Sequence, residues 1–98
     1  MDESPEVVSF SKMRKKEFTL QTLALFNLNL KIKANNGDIY KFRLKSAVKE
    51  DYGESSQIIC QGFLVELRSK SSKAAILYQK YQIHINEHTA SGYLKVIT

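Results

Sequence analysis

A run of residues with the sequence LKIKANNGDIYKFRLK, residues 30–45, constrains the fold of this chain more than any other feature. Apolar and polar residues alternate on both sides of a turn sequence, and a period of two is typical of strands with one buried face. The turn contains Asn35, Asn36 and Gly37, residue types that tolerate the left-handed backbone of tight turns. The run therefore predicts an antiparallel β-hairpin.

The hydrophobic pattern also predicts the register of this hairpin. A two-residue loop at Asn36 and Gly37 would pair Lys33 with Tyr40 and mix the two faces, whereas a three-residue loop pairs Ile32 with Tyr40. Because a slip of one residue turns every side chain to the other face, the pattern favours the three-residue loop. The further pairs in this register are Leu30 with Phe42, Leu28 with Leu44, Lys31 with Lys41 and Asn29 with Arg43.

This register gathers basic side chains on the polar face of the hairpin. They are Lys31, Lys33, Lys41, Arg43 and Lys45. Residues 31–49 hold six bases and one acid, Asp38, and the whole chain of 98 residues has a net charge of +5. Like charges directly opposite each other destabilise a ladder slightly, so the arrangement favours a role other than hairpin stability.

The remaining sequence predicts an α+β fold, mainly an antiparallel sheet of about four or five strands with one or two helices. Residues 1–10 are acidic and without periodicity, so we expect a flexible acidic tail before one small globular domain at residues 11–98. Residues 12–25 fit a strand or a helix. Strand is favoured there, because three bases in a first helical turn would oppose the helix dipole.

The second half of the chain mixes strand and helix signals. A polar loop is expected at residues 49–56, then a third strand near residues 59–67 with a bulge at Gly62. Apolar residues from Ala74 to Ile85 fit helical spacing, so a helix is expected there, with a strand near residues 82–86. A short strand at residues 93–97 ends the chain.

An order of helix, three strands and helix over residues 12–81 resembles the double-stranded RNA-binding domain. The segment SKSSKAAILYQKY, residues 69–81, corresponds to the last helix of that family, whose lysine-rich start contacts phosphates. The resemblance implies this role for Lys70 and Lys73. The chain departs from the family in lacking its glycine pattern before that helix and in having a further C-terminal segment.

Two short motifs carry catalytic chemistry in other protein classes. HINEH, residues 84–88, matches the H-x-x-E-H pattern of inverted zinc peptidases, but no metal-binding residue type follows His88. FLVELRSK is similar to the E-x-K element of metal-dependent nucleases, with Glu66, then Arg68 in the place of lysine, and Asp51 as a second carboxylate. Arginine does not readily titrate. We therefore expect a binding module that is not an enzyme and has no cofactor or metal.

The basic hairpin face predicts contact with the phosphate backbone of nucleic acid, because lysine and arginine neutralise phosphates and release counterions. A second basic tract adds three candidate contacts, Arg14, Lys15 and Lys16. The aromatic residues of this region are expected on the opposite, apolar face: Phe26, Tyr40 and Phe42. Because bases stack on exposed aromatic rings, we expect little reading of base sequence.

Three other interpretations use the same residues. An acidic protein partner would suit the basic face, and residues 93–97 could add a strand to a second copy. An acidic lipid surface would also attract the bases. Finally, lysines can simply protect exposed sheet edges from aggregation. No small-molecule substrate is expected.

Composition predicts the compartment in which the protein is found and limits the chemistry of its cysteine. Cys60 is the only cysteine, so it forms no internal disulfide and is expected to be a buried, reduced thiol. No apolar run approaches the roughly 18 residues of a membrane-spanning helix. The acidic start is unlike a secretory signal or transit peptide. These features predict an intracellular protein, cytoplasmic or nuclear.

Overall fold

The computed structural model describes residues 7–11, 29–53, 55–69 and 76–97. They form six strands: β1 (Val7–Phe10), β2 (Asn29–Lys33), β3 (Ile39–Tyr52), β4 (Ser55–Arg68), β5 (Lys80–Asn86) and β6 (Gly92–Val96). Strands hold 73% of the described residues, and none of these residues lies in a helix. The α+β prediction is therefore wrong, and the fold is a six-stranded antiparallel sheet curled into a half-barrel.

The strand order in the sheet is β1-β6-β5-β4-β3-β2. Strands β2 to β5 each pair with the next strand in the chain, whereas β1 pairs with β6. The N–H of Asn35, just beyond β2, donates a hydrogen bond of 2.9 Å to the carbonyl of Ser9 in β1. Because β1 and β2 are the two edge strands of the sheet, this hydrogen bond connects opposite edges, which the curl of the sheet brings together.

The hydrophobic core lies on the inner face of the curled sheet. Its largest side chains, each at most 2% exposed, are Phe10, Leu30, Ile32, Tyr40, Phe42, Leu44, Ile58, Leu64, Ile83, Ile85 and Leu94. Complete burial of one such side chain contributes about 1.5–3 kcal/mol. Cys60 lies in the same core as a free thiol, as predicted, and burial raises its pKa to about 12.

The predicted hairpin register is confirmed. Ile32 pairs with Tyr40, and the remaining predicted pairs within the described residues are Leu30 with Phe42, Lys31 with Lys41 and Asn29 with Arg43. The N–H of Ala34 donates to the carbonyl of Asp38 at 2.8 Å, which encloses a loop of three residues. Gly37 ends that loop with φ 95°, a left-handed conformation that glycine adopts without steric cost. Leu28 lies outside the described residues.

Two irregularities interrupt the long β3–β4 ladder. Lys45 has no partner between the pairs Leu44–Gly62 and Ser46–Gln61, so the extra residue lies in β3 and not at Gly62 as predicted. Val65 is the extra residue of β4. A β-bulge of this kind reverses which alternate residues face inward on the strand that carries it.

Three further predictions differ from the structure. The strand expected near residues 82–86 is confirmed as the larger part of β5, but β5 begins at Lys80 and residues 76–79 are not helical, so the expected helix is absent from residues 76–85. The expected polar loop at residues 49–56 is instead the end of the β3–β4 hairpin, which turns at Gly53. Val7–Phe10 were placed in a tail but form β1, and Phe10 is 2% exposed in the core. Residues 12–25 lie outside the described residues, as do Lys70 and Lys73.

Candidate nucleic-acid interface

The five predicted bases of the hairpin share the outer face of the sheet. Four of them alternate with buried residues of β2 or β3, so the inward turn of the apolar side chains places their charges outward. Lys45, the bulged residue of β3, is exposed and lies over the Phe63 ring on the same face. Lys31 and Lys41 are direct cross-strand partners, as predicted. The other three are Lys33, Arg43 and Lys45. The candidate contacts Arg14, Lys15 and Lys16 lie outside the described residues.

Few carboxylates neutralise this part of the outer face. Asp38, the one acid of the basic window, is 4% exposed and belongs to the turn. Glu66 lies opposite Lys41 on β4, and its Oε1 is 3.3 Å from Nε of Arg68. Glu66 is thus flanked by two bases and compensates only part of the local positive charge.

The sheet brings further bases to the same face. Lys80 pairs with Phe63 and Lys95 pairs with Gln82, so both lie on strands that continue the outer face beyond β4. Lys80 was not among the predicted contacts, because helical spacing placed that residue in a helix. A strict alternation of Tyr81, Ile83 and Ile85 was the signal for a strand here, and a strand assignment turns Lys80 outward.

The outer face of β4 carries apolar residues as well, beside Gln57 and Gln61. Ile58, Cys60 and Leu64 are buried inside, Ile59 and Phe63 lie on the outer face, and Val65, the extra residue of the bulge, is partly exposed next to them. We call Ile59, Phe63 and Val65 the apolar ridge. Apolar side chains grouped on an exposed surface mark interaction sites more often than singly scattered ones do. The ridge therefore marks an outer surface suited to contact with another molecule.

Phe63 lies among the bases. Across the sheet, Arg43 of β3 is its partner on one side and Lys80 of β5 on the other. The Lys45 ammonium lies 5.8 Å from the centroid of the Phe63 ring, within the range of a cation–π contact. Tyr40 and Phe42 are buried, as predicted, but the basic face is not without aromatic rings, and this corrects the argument against base stacking.

A second ring pair lies on the outer face further along the sheet. The imidazole of His84 stacks on the ring of Tyr93, with 4.5 Å between centroids and 12° between planes. Partial burial lowers the pKa of His84, and the nearby Lys95 lowers it further, while Glu50 acts in the opposite direction. The lowered pKa makes His84 harder to protonate than an exposed histidine.

The structure separates the residues of the two catalytic motifs. His84 is in β5 while His88 is in the turn that follows, so the helical face required by the zinc-peptidase pattern is absent from this segment. Glu87 is engaged elsewhere, 2.6 Å from Oγ of Ser56 and 3.4 Å from Nζ of Lys49. The Ser56 hydroxyl is the main cause of a lowered pKa at Glu87.

The nuclease-like residues are also far apart. Asp51 pairs with Ser56 and Glu66 with Lys41, at opposite ends of the β3–β4 ladder. At about 3.3 Å per residue, this places the two carboxylates about 30 Å apart. Among the described residues, no group of three metal-binding side chains comes together. Those same ranges contain no helix with the length and apolar character needed to cross a bilayer.

No protein-family model matches this chain, and comparisons with curated proteins and with solved structures gave no match either. The functional argument therefore rests on the geometry of the outer face.

Proposed function

We propose that this protein is a nucleic-acid-binding module that contacts the phosphate backbone with the outer face of its sheet. The observation that carries this proposal is the grouping of Lys31, Lys41 and Arg43 on adjacent strands, with Lys45 and Lys80 beside them. Lysine and arginine side chains that protrude from a sheet can follow a flexible phosphate chain. The cross-strand pair of two lysines costs a little stability in the free protein, and an intervening phosphate removes that cost.

Fluorescence anisotropy with a short labelled oligonucleotide tests the proposal. If about five phosphates are neutralised, affinity for a single strand falls about 100-fold between 50 and 200 mM salt, because counterions are released on binding. The double variant Lys41→Glu with Arg43→Glu should abolish binding. No binding at low salt, or binding that does not depend on salt, would contradict the proposal.

A matched pair of single variants tests whether binding depends on the basic face or only on the total charge of the protein. Arg43→Gln and Lys49→Gln each remove one positive charge from β3, but Lys49 lies beside Glu87 and outside the basic group. Arg43→Gln should reduce the slope of log K against log salt by about 0.7, whereas Lys49→Gln should leave it nearly unchanged. Equal effects would indicate attraction by net charge alone.

An acidic lipid surface is a second candidate, favoured by one exposed loop. Ile76, Leu77 and Tyr78 are 71%, 49% and 74% exposed, and residues 69–82 contain three lysines and no acid. Apolar side chains beside lysines are the combination that inserts into an anionic interface. Sedimentation with phosphatidylserine vesicles tests it, and the variant Leu77→Ser should reduce pelleting while oligonucleotide binding stays unchanged.

An acidic protein partner stays a third interpretation of the same bases. Its strand-addition form was placed at residues 93–97, but β6 is paired on one side with β1 and on the other with β5. Residues 93–95 of this segment therefore offer no open edge for a second copy.

A further inference from the structure

We infer that the outer face selects single-stranded over double-stranded nucleic acid, with a base stacked on the ring of Phe63. This inference rests on the proposed backbone contact and specifies its substrate class. It starts from Phe63, whose ring lies between Arg43 and Lys80 in the described part of the sheet.

The position of Phe63 satisfies the geometric needs of a stacking platform. Its ring is partly exposed at the centre of the sheet, between the cross-strand partners Arg43 and Lys80. A strand of nucleic acid laid along the apolar ridge would thus have cations on both sides of its bases. Ile59 and Val65 extend the apolar contact along β4 in both directions.

Lys45 already occupies the face of the Phe63 ring in the free protein. Its ammonium is 5.8 Å from the ring centroid, and as the bulged residue of β3 it has no cross-strand partner. A base that stacks on the ring takes the place of the ammonium. The flexible lysine can then bind a phosphate, so a cation–π contact is exchanged for an ion pair and a stacking contact.

A duplex cannot make this contact, because its bases are already stacked and paired within the helix. Stacking on an aromatic ring requires bases whose faces are free, and it tolerates any base because each has a π-face. The expected preference is therefore for unpaired strands, with weak dependence on sequence. The wild-type protein should bind a single strand more tightly than its duplex at equal salt.

The test compares Phe63→Leu with Phe63→Tyr by anisotropy on three probes: a single-stranded oligonucleotide, its duplex, and a backbone of the same length without bases. Leucine keeps an apolar side chain but removes the π-face, and tyrosine keeps the ring. Phe63→Leu should weaken single-strand binding about 5- to 150-fold, with affinity for the other two probes nearly unchanged. Phe63→Tyr should retain most of the affinity, and circular dichroism with thermal unfolding checks that both variants fold.

The outcomes for the two proposals differ. If Phe63→Leu binds single strands as tightly as the wild type while Lys41→Glu with Arg43→Glu abolishes binding, stacking is wrong and backbone contact stands. If the wild type binds none of the three probes at low salt, backbone contact itself is wrong. If Phe63→Leu weakens pelleting with anionic vesicles and leaves oligonucleotide binding unchanged, the ridge is a lipid-contacting surface and the stacking inference is overturned.

Discussion

Strands β2 and β4 lie in one sheet and share an inner face, but their outer faces differ. In β2 a buried apolar residue alternates strictly with an exposed lysine or asparagine. In β4 the outward positions include Ile59 and Phe63, which stay partly exposed. A strand at a sheet edge is protected by charge, whereas the central strand presents an apolar surface between charged neighbours. This difference separates residues that stabilise the fold from residues available for binding.

The strongest test of this separation compares two phenylalanines. Phe42 is fully buried and its ring lies 5.1 Å from that of Tyr81, while Phe63 is on the outer face. Phe42→Ala should reduce the free energy of unfolding by about 3–5 kcal/mol, because it removes a buried ring and leaves a cavity. Phe63→Ala should cost about 1 kcal/mol, the size of a cross-strand contact.

Urea unfolding followed by circular dichroism measures both values. If Phe42→Ala does not fold, the milder variant Phe42→Leu still measures how much the inner face contributes to the free energy of unfolding. Equal losses from Phe42→Leu and Phe63→Leu would show that both faces of the sheet contribute to the core, and would remove the distinction.

A smaller effect is expected at the bulge that positions Lys45. A Cβ at Gly62 would lie 2.8 Å from the carbonyl oxygen of Arg43, so the two strands would have to separate locally. Gly62→Ala should therefore cost about 1–3 kcal/mol. Gln61→Ala, one position away and on the outer face, is the control and should change stability much less. If Gly62→Ala left stability unchanged, the two strands would be able to separate at the bulge without cost.

The smallest expected effect is a pH dependence of stability caused by His84, which stacks on Tyr93 on the outer face. The pKa of His84 is lowered from its ordinary value of 6.5 in the folded protein, so the unfolded chain binds more protons below that value. Stability should then fall slightly as the pH decreases from about 7.5 to 5.5. The lowered pKa of Glu87 acts below its ordinary value of 4.5 and does not interfere in this range.

Thermal unfolding at several pH values measures this dependence, with His84→Gln as the control. Glutamine does not titrate, so the variant should show a flatter profile over the same range. An identical slope in both proteins would assign the dependence to other groups.

Sequence alone predicted the parts of the fold that local signals determine. The β2–β3 register followed from alternation and from the residues of the turn, and the basic face followed from the register. The strand near residues 82–86 was predicted, but the residues before it were assigned to a helix because Leu77, Tyr78 and Tyr81 fit a helical period. Alternation of Tyr81, Ile83 and Ile85 was the competing local signal, and pairing with β4 and β6 decided between the two.

The role of Phe63 was missed for a related reason. Which face a residue of β4 occupies depends on its pairing with β3, and that pairing shifts at Lys45 and again at Val65. A pattern read along β4 alone shows two runs of adjacent apolar residues, 58–60 and 63–65, and does not reveal which of them point outward.

The pairing of β1 with β6 has a consequence for the order of folding. Strands β2 to β6 pair with strands that are near them in the chain, and such local contacts form quickly. Phe10 pairs with Gly92, and a pair so distant in sequence forms more slowly. On a ribosome, β1 would therefore emerge well before its partner β6, and the inner face would stay open at that edge until β6 has been synthesised. The chain is most prone to aggregation while that edge of the sheet is still unpaired.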